Sequence, residues 1–116
     1  MLPRAHRIRS RQDIAALARR GQAIRGPHLT LRIFVRPKGP SRFVCSISQK
    51  VSKKATERNR LRRQLQEIIR HTLPSLTRPS DGLVLVRPEA LHTPFPVLRD
   101  EVHLLFERAK LLQKKT

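Results

Sequence analysis

The stretch from Lys50 to His71 constrains this chain more than any other. Its apolar residues Leu61, Leu65, Ile68, Ile69 and Leu73 recur at i, i+4, i+7, i+8 and i+12, the stripe of an amphipathic helix with one buried face. At 100° per residue, Thr56, Asn59, Arg63, Gln66 and Arg70 fall on the opposite side, with Arg60 and Arg62 flanking them. A helix so divided needs a sheet or other helices beneath it, and it presents fork-shaped cationic donors to whatever lies outside. Such donors match phosphate oxygens better than ammonium groups do.

The remaining chain reads as short elements able to supply the surface beneath. Ser10 with Asp13 fits a loose capping box, and the run to Gly21 reads as a short helix with Ile14, Leu17 and Ala18 inward. A short strand at 22–25 precedes the Gly26-Pro27 turn signal. Leu29 to Val35 and Arg42 to Ser48 read as strands, expected to pair as an antiparallel hairpin across the proline-flanked 36–41 connection. Gly82 to Val86 is a continuous apolar run, suited to a strand covered on both faces or inserted between others. Leu98, Val102, Leu105, Phe106 and Ala109 carry a closing helix. Residues 1–9 are expected to form a loose basic arm, and about 110–116, with Lys110, Lys114 and Lys115, a frayed tail. The order of elements predicts one α+β domain over 1–116, with helices laid on a mostly antiparallel sheet.

Composition narrows the function. The net charge is +18 in 116 residues, far beyond what solubility requires, and a polyanion would relieve the self-repulsion. There is no Trp or Tyr and only four Phe, so the core is aliphatic and modest. The eight carboxylates form no side-by-side acid pair. The five histidines, His6, His28, His71, His92 and His103, lack metal-ligand spacing, and the four glycines build no phosphate loop. An autonomous nuclease is therefore disfavoured. Cys45, the single cysteine, sits inside a strand pattern and is expected to be a buried structural thiol. No apolar run approaches a membrane span, and the segment from Met1 to Arg7 lacks a signal-peptide core, so a cytoplasmic location without membrane contact is expected.

The run Glu57-Arg58-Asn59-Arg60-Leu61-Arg62-Arg63, preceded by Lys50, Lys53 and Lys54, resembles the Arg-Asn-Arg signature of the bacterial ribonuclease P protein subunit family. Arg7-Ile8, Asp13-Ile14, Leu17 and Gly21 resemble that family's opening, and Asp81 to Pro88 its late strand, so the likeness spans nearly the whole sequence. It implies an αβββαβα two-layer sandwich with a left-handed β-α-β crossover, as in a ribosomal-protein domain. It also implies a non-catalytic partner of ribonuclease P RNA that assists magnesium-dependent 5′ maturation of precursor tRNA, the metal being held mainly by RNA. Under this likeness, Lys50, Lys53, Lys54, Arg58, Asn59, Arg60, Arg62, Arg63 and Arg70 would dock the RNA subunit. Arg7, Arg11, Ile14, Leu17, Ala18, Arg32, Ser46 and Ser48 would line the groove for the single-stranded 5′ leader.

Some positions depart from the family pattern. Ile14 and Ala18 stand where relatives place Phe, which weakens base stacking. Arg32 replaces a common aromatic, leaving its guanidinium to stack on a base or pair with a phosphate. Val44 and Gln49 replace a usual Gly and Lys. A ribosomal or other structural RNA-binding protein is the rival reading, equally basic and equally without catalytic groups.

Overall fold

The computed structural model describes residues 2–113, so Lys114 and Lys115 of the expected tail lie outside the described residues. The chain runs α1 (Arg11–Arg20), β1 (Gln22–Arg25), β2 (Leu29–Val35), β3 (Arg42–Ser46), α2 (Ala55–Thr72), β4 (Ser80–Val86) and α3 (Phe95–Arg108), with short 3-10 turns at Arg4–His6, Leu73–Ser75 and Pro88–Ala90. The four strands form one sheet in the order β1-β2-β4-β3. Two helices, α2 and α3, cover one face, and α1 crosses the other.

The expected hairpin between β2 and β3 does not form. Instead β4 lies between them, antiparallel to β2 and parallel to β3, with Leu83 opposite both Arg32 and Val44. The reason lies in burial: Gly82, Leu83, Val84 and Val86 are all buried, and only a central strand is covered on both faces. A 36–41 connection that looks like a tight loop thus spans the width of an intervening strand.

Sheet stereochemistry fixes the hand of the connection from β3 through α2 to β4. Seen from the α2 side with both strands running upward, the Phe43 ring points at the viewer, since it packs in the α2–α3 core and stacks on Phe106 at 5.4 Å. An L-residue so placed turns its backbone carbonyl to the right. That carbonyl accepts the Ile8 amide at 3.2 Å, so the N-terminal segment lies to the right of β3 and β4 to its left. The crossover is therefore left-handed, against about 98% right-handed in general.

The core is aliphatic. Leu65 and Ile69 of α2, Leu29 and Leu31 of β2, and Leu98 of α3 are fully enclosed. Gly82 is required beneath Phe43, because a Cβ there would stand 2.5 Å from two ring carbons. Cys45 is buried, and burial pushes its thiol up to about 12.

The described segments near both ends are more ordered than the sequence implies. Leu2 and Ile8 are buried, and Arg7 bridges to Phe43 along the outer edge of β3. At the other end Lys110 adopts φ 60°, the Leu111 amide reaches back to the Phe106 carbonyl at 2.9 Å, and Leu111 is fully buried. That is a Schellman closure built without glycine.

One buried carboxylate ties the layers together. Glu101 of α3 accepts from the amides of His28 (2.9 Å) and Leu29 (2.7 Å) and pairs with His28 Nδ1 at 2.7 Å. Gly26 permits this approach, since a Cβ there would meet Glu101 Oε2 at 2.6 Å. His28, which has no metal-ligand spacing in the sequence, thus anchors the start of β2.

Candidate nucleic-acid interface

Two surfaces emerge, on opposite faces of the sheet. The first is α2 with the turn leading into it. Leu61, Leu65, Ile68 and Ile69 are buried as the periodicity predicts, and Thr72 joins them, its hydroxyl bonded to the Ile68 carbonyl at 2.7 Å. The preceding segment is braced from within: Val51 and Ser52 are buried, Ser52 Oγ donates to Glu57 Oε1 at 2.5 Å and accepts from the Lys54 amide at 3.1 Å. That hydroxyl holds the Glu57 carboxyl below its ordinary range. Arg58, half-buried, donates to the Ser52 carbonyl at 2.8 Å. On this frame Lys50, Lys53 and Lys54 stand exposed.

Along the outer face, Asn59 accepts from Arg62 at 3.0 Å, which fixes both side chains. Arg60 and Arg63 are exposed and make no hydrogen bond or ion pair within the described residues. Arg70 differs, because it grips Glu67 through two bonds of 3.2 and 2.6 Å. With His71 adding a third contact, Glu67 is held down to about 2. Arg70 is thus already paired, while Arg60 and Arg63 have their whole donor forks available.

The second surface is the groove beside α1. Both ends of this helix are pinned to the sheet. Ser10 Oγ caps it by accepting the Asp13 amide at 3.3 Å, and Asp13 lies 3.7 Å from Arg42, which forms a two-bond pair with buried Asp81. At the far end Arg32 Nη1 donates to the Gly21 carbonyl at 3.0 Å, so one arm of its guanidinium closes α1. The Arg32 Nε is buried without a partner. Leu17 is sealed against Ile8 and Leu83, Ile14 is half-buried beside them, and Ala18 is exposed on the helix lip. Arg11 is exposed at the start of α1, and Ser46 and Ser48 are exposed at the end of β3.

Strand register shows what the sequence reading missed on the groove floor. Arg25, Thr30 and Leu85 form one cross-strand row on the α1 side with Ser46, which the sequence already named, and Phe34, half-buried, is the aromatic of the same face. Counting two residues either way from Arg32 would have found Thr30 and Phe34. Arg7 does not join this floor. Its bridge to Phe43 turns it to the α2 side, while Ile8 takes the α1 side. The groove and the α2 surface meet at the 47–54 turn, where Ser48 accepts the Lys50 amide at 3.3 Å.

Among the described residues no group of three His, Cys, Asp or Glu is placed to hold a metal ion, and no helix is long and apolar enough to cross a membrane.

Comparison with known proteins agrees with this geometry. The family model for ribonuclease P matches residues 2–110. The chain is 40% identical to the ribonuclease P protein component of Microcystis aeruginosa over 116 aligned residues, covering 96% of each chain. It is 43% identical to that of Synechococcus sp. strain JA-2-3B'a(2-13), covering 97% of this chain and 87% of the relative. In fold it is similar to the ribonuclease P proteins of Thermotoga maritima (TM-score 0.79, 24% identity, 88% of this chain and 96% of that one) and Staphylococcus aureus (TM-score 0.84, 18% identity, 95% and 100%). With its sheet order, its crossover and its Arg-Asn-Arg helix all accounted for, the chain belongs to the ribonuclease P protein component family.

Proposed function

We propose that this protein binds ribonuclease P RNA through α2 and its preceding turn, holds the 5′ leader of precursor tRNA in the α1 groove, and so assists endonucleolytic removal of the leader. The observation that carries this reading is the pair of exposed guanidinium groups of Arg60 and Arg63, without a partner among the described residues, on a helix whose other face is buried. A rigid helix presenting free forks positions a phosphate backbone without ordering cost in its own backbone.

Hydrolysis itself belongs to the RNA subunit and the magnesium ions it binds; the protein contributes charge and shape. Lys50, Lys53 and Lys54 extend the docking face, and Arg58, Asn59 and Arg62 hold its geometry. Because the two surfaces lie on opposite sides of one sheet, a single chain bridges the RNA subunit and the leader. Neutralising phosphates where the two RNAs meet lowers their repulsion, and this reduces the magnesium they require. We place this work in the cytoplasm, in one RNA-binding unit with no membrane and no small-molecule substrate.

The test mixes the purified protein with ribonuclease P RNA and precursor tRNA at low magnesium. Strong enhancement of leader removal is expected. No enhancement, together with tight binding of ribosomal RNA fragments, would favour a structural RNA-binding role instead.

A further inference from the structure

Between the first turns of α2 and the loop after β4 lies a cavity of about 370 Å³, walled by Leu61, Leu91 and Phe95 and rimmed by Glu57, Arg60 and Gln64. The loop is built, not slack: Thr93 bonds the Ala90 carbonyl through its amide (3.1 Å) and the Glu89 carbonyl through its hydroxyl (3.2 Å). Between them His92 is held at φ 67°, a conformation that non-glycine residues adopt at a cost and that gathers at ligand sites. Its imidazole stands at the mouth, with Nε2 3.8 Å from Glu57 Oε2.

A phosphate chain tracking Arg60 along α2 passes this mouth. The apolar walls offer nothing to a phosphate, but they suit the faces of a base swung out of its stack. The carboxylate is the selective element. Glu57 stands among Lys53, Lys54, Arg58 and Arg60, where it repels phosphate. Bracing Ser52 takes one lone pair of Oε1, and Oε2 stands 3.8 Å from His92 Nε2 at the mouth, so each oxygen keeps a free acceptor site.

We propose that this cavity is a nucleobase site that takes one unpaired guanine of the bound RNA, whose N1–H and exocyclic amine donate in parallel to the Glu57 carboxylate while its ring lies between Leu91 and Phe95. Guanine alone among the four bases offers two adjacent donors on that edge. Adenine, cytosine and uracil each offer one. The proposal rests on α2 being the RNA-docking helix.

The probes are the four nucleoside 5′-monophosphates, titrated at millimolar concentration into the intact isotope-labelled chain and followed by amide NMR. GMP is expected to shift Gln64, Leu91, His92 and Thr93 and to bind about fivefold or more tighter than UMP. Glu57→Gln should remove that preference, and Leu91→Trp, filling the cavity, should abolish the shifts. Should Leu91→Trp fail to fold, Thr93→Trp blocks the same mouth. Equal affinities for all four nucleotides, or shifts confined to residues 53–63, would overturn the site. The salt dependence of ribonuclease P RNA binding, measured on the unaltered protein, separates the two ideas. A steep dependence with no guanine preference sinks only the cavity, whereas no salt dependence sinks the docking face itself.

Discussion

Glu101→Ala removes the buried side chain that ties α3 to the start of β2. In the folded chain its carboxylate, only 5% exposed, accepts from two backbone amides and the His28 ring at 2.7–2.9 Å. Hydrogen bonds to a charged group contribute about 1.5–3 kcal/mol each, and they are not additive here because the amides are consecutive. The truncation also strands the buried Leu29 amide and opens a void beside Gly26. A loss of about 3–5 kcal/mol is expected, comparable with breaking a buried pair. At roughly 4 °C per kcal/mol for a domain of this size, the melting temperature should fall by about 12–20 °C. Urea unfolding and thermal melts followed by circular dichroism measure both quantities. Glu101→Gln keeps one acceptor oxygen and should lose less. A loss below about 1 kcal/mol for the alanine variant would refute the view that this carboxylate locks β2 to α3.

Other substitutions probe separate parts of the account. Gly82→Ala drives a methyl into the Phe43 ring at 2.5 Å, in a site closed by Phe106, and should cost about 1–3 kcal/mol in urea unfolding; an unchanged midpoint would mean the ring yields freely. Cys45, its thiol pushed up to about 12, should resist alkylation at neutral pH until the protein is unfolded, as mass spectrometry would show. Glu67 should titrate near 2, and Arg70→Gln should raise its midpoint toward the ordinary carboxylate range; the lowered folded value means this pairing favours folding at neutral pH, and that contribution fades as pH falls from about 4.5 to about 2. Ile14→Phe adds a ring to the groove and should tighten leader-containing precursor over mature tRNA, by up to ~1–3 kcal/mol for one stacked base in competition binding.

Local signals were legible and long-range ones were not. The α2 stripe, the Ser10 cap and the strand at Gln22–Arg25 follow from spacing and capping chemistry that act within a few residues. The β2–β3 hairpin failed because antiparallel neighbours in sequence are only a default, and nothing near residues 36–41 announces that a strand forty residues later will insert between them. The continuous apolar run of β4 held that information, as burial on both faces. The docked arm was hidden because Leu2 and Ile8 are isolated apolar residues among arginines, with no period to mark them. Glu101 and His28 are 73 residues apart, so their contact exists only after the helix layer has closed on the sheet. In the site, the α2 face was readable from the helical wheel, whereas the groove floor required the strand register. Arg32 could not be assigned from sequence, since its role in closing α1 depends on where Gly21 comes to rest.

The central claim is that Arg60 and Arg63 are free to neutralise RNA phosphates, and the salt dependence of binding tests it most directly. Affinity of the intact protein for ribonuclease P RNA is measured across a monovalent-salt series, for the natural chain and for Arg60→Ala with Arg63→Ala combined. Each lost phosphate contact should flatten the logarithmic slope by about 0.7–0.9, so the double variant should be shallower by about 1.4–1.8 while its unfolding midpoint stays unchanged. An identical slope in a folded double variant would contradict the claim and leave those guanidinium groups as mere solvated surface.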